Sequence, residues 1–290
     1  MKIVNIIGGL GNQMFQYAFA YALHLKRPEE QILIDTSLFK GYNLHNGFEI
    51  DRIFGCKLPI ASKKEIQKVN WYLPNYKLAR VVRKLFPSRK TLVRDEDYLT
   101  YKPHLMDLVG DYYYDGYWQS ANYFDLYREE ILSLFKYKED LPDNCKEYYK
   151  DINCPNSVSI HIRRGDYLTA PNFIGICDLE YYAKAIKIAK QQISSPCFYI
   201  FSNDPKWCQD NMLSLISPSP AIIVDVNSGK DSYNDMRLMS FARCNILANS
   251  SFSWWSSYLN TRENKITISP SKWVNLVPST DIFMNDWIKI

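Results

Sequence analysis

Several features that would place a chain of 290 residues in a specialised class are missing from this sequence. No two of its seven cysteines form a CxxC pair, and an odd number without clustered spacing argues against a disulfide framework and a zinc site. No run of residues approaches the ~20 uninterrupted apolar positions of a membrane helix. A net charge of only +4 gives no general case for nucleic acid. We therefore expect a cytoplasmic, globular protein without a nucleic-acid partner.

Aromatic residues, by contrast, are plentiful. They make up 15% of the chain and include 22 tyrosines and 7 tryptophans. Such a composition suits contact with carbohydrate, but it equally suits large cores. The opening MKIVNIIGG is too short and too soon interrupted for a signal peptide, and it predicts a buried strand instead.

Strands and helices alternate along most of the chain, which predicts parallel α/β architecture. A polar stretch at 136–156 predicts a boundary between a domain of residues 1–150 and a domain of residues 151–290. The strands predicted in the first domain are 3–7, 31–35 and 111–119; its helices are 12–26, 62–70, 75–86 and 123–135, with a long connection at 36–60. Beyond the boundary, strands at 157–162, 197–201, 221–226, 245–248 and 265–269 alternate with helices at 180–193, 205–215, 233–243 and 250–259.

The first strand is followed by a glycine loop, Gly8-Gly9-Leu10-Gly11, whose amides are aimed at the start of a helix. This pattern is similar to a dinucleotide fingerprint, and Asp35 stands where a ribose-binding carboxylate belongs. Met14, however, occupies the position of the third glycine. A NAD-dependent oxidoreductase with a degenerate loop therefore stays open as an alternative.

The stretch Ser157–Tyr167, SVSIHIRRGDY, organises the second domain. Alternating apolar residues predict a buried strand that runs into Arg163-Arg164-Gly165-Asp166. Arginine is suited to bidentate capture of phosphate oxygens, and ligands of open α/β sheets bind at the carboxyl ends of strands. These residues indicate a diphosphate site, with the alternative that Asp166 simply pairs with Arg163 or Arg164 in a surface turn.

Two further loops carry polar residues directly after strands, and loops after parallel strands gather along one edge of the sheet. Ser202-Asn203-Asp204 follows the strand at 197–201; Asp204 either caps the next helix or accepts hydrogen bonds from a guanine or ribose. Asn249-Ser250-Ser251 opens the last helix, whose amides suit an anion, with an ordinary serine N-cap as the alternative. No His, Asp or Glu cluster has metal-binding spacing, and an arginine pair can balance diphosphate charge, so we expect no metal.

Five motifs in this order closely resemble the bacterial α-1,2-fucosyltransferases of glycosyltransferase family 11, along nearly the whole chain. They are Gly8–Ala18 (GGLGNQMFQYA), His161–Tyr167 (HIRRGDY), Phe201–Asp204 with Trp207, Asp235 with Leu238–Ser240, and Ala248–Trp255 (ANSSFSWW).

The resemblance implies a GT-B-like fold of two Rossmann-type, doubly wound α/β domains that face each other across a cleft. It implies a GDP-β-L-fucose donor on the C-terminal domain, a galactose-containing glycan on the N-terminal one, inversion to an α-1,2 linkage, and no cofactor. Arg163 would hold the β-phosphate, and Asn12 would face the reacting centre. The expected catalytic residues are Arg163, Asn12 and Asp166. The expected donor-binding residues are Gly9, Gly11, Gln13, His161, Arg164, Ser202, Asp204, Asp235, Asn249, Ser250, Ser251 and Phe252.

The sequence does not single out a general base. Asp166 is adjacent to the arginines, and Glu49 and Asp51 are weaker candidates. A basic run at 77–90 predicts either a solvated face or contact with an anionic membrane. A non-catalytic glycan-binding module, based on the aromatic residues alone, is a second alternative.

Overall fold

The computed structural model describes the chain apart from residues 43, 98, 276, 279 and 280; the side chains at 83, 84 and 166 also lie outside the description. The chain divides into two compact units, Met1–Glu139 with Thr280–Ile282 and Asp140–Ser279 with Phe283–Ile290. All seven cysteines are free thiols. Among the described residues, no helix has the length and apolar character needed to cross a bilayer.

The first unit contains a parallel sheet of four strands in the order β2-β1-β4-β3. Its strands are β1 (Lys2–Asn5), β2 (Ile32–Asp35), β3 (Leu92–Arg94) and β4 (Tyr112–Asp115). The three predicted strands are confirmed with shorter bounds. β3 was not predicted, because three residues give too short an alternation to be recognised in a sequence.

Helices cover this sheet. They are α1 (Leu10–Lys26), α2 (Ile50–Ile53), α3 (Lys63–Val69), α4 (Tyr76–Leu85) and α5 (Arg128–Leu134). α3 begins at a capping box in which Ser62 and Glu65 satisfy each other's backbone amides. The predicted helix 123–135 begins only at Arg128, because 3₁₀ turns at Ala121–Tyr123 and Asp125–Tyr127 precede it. The predicted strand 111–119 ends at Asp115, and the chain then turns at Trp118, whose φ is 53°.

The second unit is a parallel sheet of six strands covered by helices. Its elements are α6 (Asp143–Ile152), β5 (Ser157–Ile162), α7 (Leu179–Gln192), β6 (Cys197–Ser202), α8 (Pro205–Ile216), β7 (Ala221–Ile223), α9 (Tyr233–Met239), β8 (Cys244–Ile246), α10 (Ser251–Tyr258), β9 (Ile266–Ser269) and β10 (Ile288–Lys289). All five predicted strands are present, and β10 adds a sixth beside β9.

α6 corrects the prediction of a polar linker at 136–156. Its Cys145 and Ile152 are fully buried in the core of the second unit, together with Leu238 and Met239 of α9. The expected division after residue 150 therefore falls inside a helix, and the units separate at 139/140 instead.

The strand order of the second sheet, β10-β9-β8-β5-β6-β7, is the doubly wound order of dinucleotide-binding domains. In such sheets the strand order reverses between the two central strands, here β5 and β8, and ligands bind outside their carboxyl ends. A buried amide network joins these strands. Asn245 of β8 donates to the Ser159 hydroxyl at 2.8 Å and accepts from Asn260 at 2.9 Å.

Candidate active site

The turn after β5 is locked to the turn after β6. Asn203 accepts a hydrogen bond from the backbone N–H of Arg164 through Oδ1 at 2.9 Å. Gly165 has a φ of +64°, and a Cβ there would lie 2.8 Å from Nδ2 of Asn203. Glycine meets both requirements without strain, so Gly165 lets the turn after β5 pack against Asn203.

Arg164 is held by its neighbours. Its Nε donates to Oδ2 of Asp204 at 3.0 Å, and its guanidinium carbon lies 4.0 Å from the centre of the Trp207 ring. Asp204 also caps α8, because its Oδ1 accepts from the Trp207 N–H at 3.1 Å. Ser202 accepts from the N–H of Asp204 at 3.0 Å. The capping interpretation of Asp204 is therefore confirmed, and the same carboxylate orients Arg164.

These two tasks of Asp204 can be separated by substitution. Asp204→Ser retains an N-cap acceptor but removes the charge, whereas Asp204→Ala removes both. We expect Asp204→Ala to lower the free energy of unfolding by about 1 kcal/mol and Asp204→Ser to recover most of that loss. Both variants release Arg164 and should weaken binding of the expected diphosphate ligand alike. Urea denaturation and calorimetry measure the two effects; equal stability of the two variants would contradict the capping contribution.

A cavity of about 440 Å³ opens at the carboxyl end of β5, within the range of small-molecule sites. Its wall includes both arginines, Trp207 and Asn249. Tyr167 and Phe173 also line it and stack with ring centres 4.4 Å apart, and the guanidinium of Arg163 lies 5.4 Å from the Tyr167 ring centre. Cationic and aromatic groups in one cavity suit an anionic ligand that also has an apolar or ring-shaped part.

His161 lies on β5, two residues before Arg163, and is buried. Its ring centre is 5.6 Å from that of Phe252 on α10. Burial and the charge of Arg163 lower the pKa of His161 to about 3, so the imidazole is neutral. Among the described residues, its Nδ1 has no hydrogen-bond partner. A buried polar atom without a partner is uncommon and marks His161 as a candidate ligand contact.

The start of α10 confirms the N-cap interpretation of Ser250, whose hydroxyl accepts from the Phe252 N–H at 3.3 Å. Asn249 donates through its side chain to the carbonyl of Trp273 at 3.0 Å, which fixes the loop. Ser251 forms the first turn, where unpaired amides and the helix dipole favour an anion. This helix start follows β8, so it lies at the same edge of the sheet as Arg163.

Asp235 lies in the first turn of α9 and accepts from Asn227 at 2.7 Å. Burial, the largest cause, raises the pKa of Asp235 from 3.8 to about 7. The preceding residue, Asn234, is only 1% exposed, and within the described chain neither its Oδ1 nor its Nδ2 has a partner. Sequence reasoning missed Asn234, because an asparagine in a first helical turn looks like an ordinary polar surface residue.

In the first unit, the residues of the glycine loop that were predicted to bind a ligand make hydrogen bonds and contacts within the protein. Gln13 donates to the carbonyls of Gly8 and Gly47 at 2.9 and 2.8 Å and accepts from the N–H of Glu49 at 2.8 Å. Asn12 accepts from Gln119 at 2.8 Å. Gly9 is the N-cap of α1, and a Cβ on it would lie 3.3 Å from the ring of His45.

A second residue that the sequence did not reveal is Asp95, directly after β3. Its Oδ2 accepts from the N–H of Trp118 at 3.1 Å and so holds the turn that carries Gln119 to Asn12. Burial, the main cause, raises the pKa of Asp95 to about 6. No motif marks this carboxylate; its role follows from the sheet, which brings the end of β3 beside the end of β4.

The dinucleotide alternative requires the carboxylate of Asp35 to bind a ribose, but this carboxylate already accepts hydrogen bonds from other residues of the chain. Asp35 is almost completely buried; its Oδ2 accepts from the Tyr113 hydroxyl and its Oδ1 from the N–H of Ser37, both at 2.8 Å. Binding a ribose through Asp35 would require both bonds to break in a buried place, which is costly. This geometry argues against the oxidoreductase alternative.

The candidate bases differ in environment. Glu49 is buried and its pKa is raised by burial, although Arg52 and Asn46 bind it at 3.0 and 3.3 Å. Asp51 accepts from the N–H of Cys56 at 2.9 Å and so stabilises the end of α2. The side chain of Asp166 lies outside the described residues; its backbone forms part of a 3₁₀ turn, Gly165–Leu168. In the described part of the chain, no three His, Cys, Asp or Glu side chains are grouped as metal ligands.

Comparison with known proteins decides the class. The family model described as Glycosyl transferase family 11 matches residues 1–290. The chain belongs to glycosyl transferase family 11. This glycosyl transferase is 33% identical over 294 residues to an alpha-1,2-colitosyltransferase of Escherichia coli, covering 99% of the chain and 98% of that protein.

Two further relatives are similar over the whole chain. The O-antigen biosynthesis glycosyltransferase WbnK of Escherichia coli is 33% identical over 301 residues, with 98% of each chain covered. Galactoside alpha-(1,2)-fucosyltransferase 2 of Rattus norvegicus is 25% identical over 304 residues, covering all of this chain and 77% of the rat protein.

Solved structures confirm the predicted GT-B-like class of this glycosyl transferase. NodZ alpha-1,6-fucosyltransferase, soaked with GDP-fucose, superposes with a TM-score of 0.53 at 16% identity and covers 89% of this chain and 91% of its own. POFUT1 in complex with GDP-fucose gives a TM-score of 0.52 at 12% identity and covers 92% and 97%. At these identities the likeness establishes the fold alone.

Proposed function

We propose that this glycosyl transferase moves L-fucose from GDP-β-L-fucose to the 2-hydroxyl of a galactose residue in a glycan, with inversion at the anomeric carbon. The observation that carries the proposal is Arg163 in a cavity at the carboxyl end of β5, where the strand order of the doubly wound sheet reverses. Relatives named as α-1,2-colitosyl- and α-1,2-fucosyltransferases support the linkage.

In the proposed reaction, the acceptor oxygen attacks the anomeric carbon from the face opposite the diphosphate. The bond from that carbon to the phosphate oxygen breaks, and its electron pair leaves with GDP. Negative charge therefore grows on the β-phosphate while the sugar gains oxocarbenium character. Arg163, the α10 amides after Ser250, and the fixed guanidinium of Arg164 are the cationic or dipolar groups that stabilise this leaving group.

The remaining proposed contacts with the donor are inferred from buried polar atoms that lack a hydrogen-bond partner among the described residues. The orphan Nδ1 of His161 and the unpartnered amide of Asn234 are proposed to meet the nucleoside, since each is a buried polar group that ligand binding would satisfy. Gly9, Gly11 and Asn12 are proposed to face the acceptor side. The proton of the acceptor hydroxyl goes to a carboxylate or to water, and Asp166, Glu49 and Asp51 are the carboxylates to compare.

A second donor is favoured by one specific comparison. The colitosyltransferase of Escherichia coli, 33% identical, is named for a sugar that lacks the 3-hydroxyl of fucose. GDP-linked colitose presents the same diphosphate and guanosine to the site, so the arginines and the α10 amides would serve either sugar equally. The choice between the donors depends on groups that meet the sugar's 3-position.

The assay that tests the proposal incubates the enzyme with GDP-fucose, GDP-colitose or NAD and a panel of galactose-ended glycans, and determines the product linkage by NMR. We expect an α-1,2-linked product with one or both GDP sugars, and calorimetric binding of GDP without binding of NAD. Glycan binding that is indifferent to GDP and to Arg163 would instead support a non-catalytic glycan-binding protein. The proposed setting is the cytoplasm, in keeping with seven cysteines that form no disulfide.

A further inference from the structure

One segment of the first unit carries a charge unlike the rest of the chain. Between Glu65 and Asp95 there is no acidic residue, whereas eight residues are basic. They are Lys68, Lys77, Arg80, Arg83, Lys84, Arg89, Lys90 and Arg94. The whole chain holds 35 basic and 31 acidic residues, so the remainder holds 27 against 31 and is net negative. The positive charge of this protein is therefore concentrated in one segment of 29 residues.

The centre of the segment is α4, which begins at an Asn75 cap and presents one face to its own unit. Ala79 is buried on that face. Three apolar residues instead face solvent: Leu78, Val81 and Leu85 are 50%, 54% and 71% exposed. Their spacing of three and four residues places them in one stripe along the helix. Exposed Lys77 and Arg80 lie along one side of that stripe, so the free surface of α4 is both apolar and cationic.

Residues outside α4 extend this surface at both ends. Phe86, directly after the helix, is 58% exposed, and Trp71 before it is 53% exposed. The guanidinium of Arg89 lies 5.1 Å from the centre of the Trp71 ring, which joins a cation to an exposed aromatic residue. We define the α4 surface as Trp71, Leu78, Val81, Leu85 and Phe86 together with Lys77, Arg80 and Arg89. Several exposed apolar side chains beside exposed cations mark an interaction site rather than ordinary surface.

We propose that the α4 surface docks on an anionic lipid bilayer. A nucleic acid would be attracted by the cations but would leave the aliphatic stripe in water. An acidic protein groove would have to match an eight-charge segment and an apolar stripe at once. A bilayer with anionic headgroups offers both partners: negative charge for the lysines and arginines, and an acyl boundary for the leucine, valine and aromatic side chains. The helix would lie in the plane of the interface, as basic amphipathic helices do.

Vesicle flotation of the full-length protein tests this docking. We expect flotation with vesicles of phosphatidylcholine mixed with phosphatidylglycerol, weak flotation with phosphatidylcholine alone, and loss of binding as salt is raised. Lys77→Glu with Arg80→Glu should lower the bound fraction by about tenfold or more. Leu78→Ser, Val81→Ser and Leu85→Ser together should lower it by a similar factor, because the apolar contribution is then lost.

Matched control variants separate the contribution of the α4 surface to vesicle binding from general effects of net charge and of exposed apolar side chains. Lys136→Glu with Lys187→Glu removes two exposed cations elsewhere, and Val109→Ser with Leu126→Ser removes two apolar residues that are 81% and 88% exposed in the same unit. Both controls should float like the unaltered protein, and circular dichroism should show all variants folded. Absence of binding to anionic vesicles, or equal loss in the controls, overturns the proposal. So does concentration-dependent dimerisation, or nucleic-acid binding, that uses this surface while vesicle binding is absent.

The docking proposal is independent of the proposed transfer reaction, because flotation requires neither donor nor acceptor. If the variants of the α4 surface lose vesicle binding but keep transfer to a short, water-soluble acceptor, the surface and the reaction are separate functions of one chain. If instead no GDP sugar is transferred but the vesicles are bound as expected, only the assignment of the reaction fails.

Discussion

Replacing Arg163 by alanine will lower the turnover of sugar transfer by about 100- to 1,000-fold, the usual loss when one preorganised donor to developing charge is removed. Arg163 directly follows a buried strand, and Gly165 and Asn203 stabilise the turn after it. The backbone of Arg163 is therefore already positioned before the reaction begins. In the proposed reaction, breakage of the bond to GDP builds new charge on the β-phosphate, and the intact donor does not carry this charge. The loss should therefore be larger in kcat than in the affinity for the intact donor, GDP-fucose.

Two variants serve as comparisons for Arg163→Ala. Arg163→Lys keeps the charge but not the planar fork, and we expect it to recover only a small part of the activity. Arg128→Ala removes an arginine that pairs with Asp125 at 3.0 Å near the surface of the first unit, and it should leave transfer unchanged. Single-turnover assays with GDP-fucose, and calorimetry with GDP-fucose in the absence of an acceptor, measure these effects. Near-normal transfer by a folded Arg163→Ala enzyme would remove Arg163 from the reaction.

Replacing Asp235 by asparagine will change how stability depends on pH. The unfolded carboxyl has a pKa of 3.8, while burial raises the folded value to about 7. Below pH 4 both states are protonated and nothing is lost. As pH rises from 4 to 7 the unfolded state ionises first, so the unaltered protein loses stability, by on the order of 4 kcal/mol once pH exceeds 7. The amide that replaces the carboxyl in the variant does not ionise, and Asn227 can still donate to its oxygen.

The measurement is the difference in free energy of unfolding between Asp235→Asn and the unaltered protein, from urea denaturation at several pH values. We expect this difference to grow in favour of the variant between pH 4 and pH 8. His161 acts in the opposite direction, because its folded pKa of about 3 costs stability as pH falls below 6.5, but it is present in both proteins and cancels. Asp210→Asn, at an exposed position of α8, is the control. A difference that does not vary with pH would show that Asp235 is ionised in the folded state.

Much of the second unit could be predicted because its strands carry strong local signals. Val158, Ile160 and Ile162 alternate on a strand that is buried throughout, and Pro205 marks the first residue of α8. The arginine pair and the helix start at Ser250 were recognisable for the same reason: each follows a strand whose end is visible in the sequence. Parallel strands then bring such ends to one edge whatever their order.

What the sequence could not predict depends on contacts between distant residues. Nothing local distinguishes Arg163 from Arg164, yet Asp204 and Trp207, about forty residues away, contact Arg164. Asn234 became a candidate through its burial, and Asp95 through the pairing of β3 with β4. α6 was missed because its polar residues face solvent, and its few buried ones find their partners in α9.

The side chain of Gln13 has a consequence for how the first unit can diversify. The fully buried side-chain amide of Gln13 binds the segment around Gly47 and Glu49 to the start of α1. In many folds, a ladder of backbone hydrogen bonds between paired strands would hold such a segment instead. A ladder constrains every second residue of a segment, whereas a single amide constrains only the two peptide groups that it binds. Residues of the connection that precede Gly47 are not bound by this amide, so they can be exchanged or lengthened while the sheet stays in place. The first unit thus combines a connection that tolerates sequence change with a sheet that does not depend on it. This arrangement allows ligand recognition to change without a change of fold.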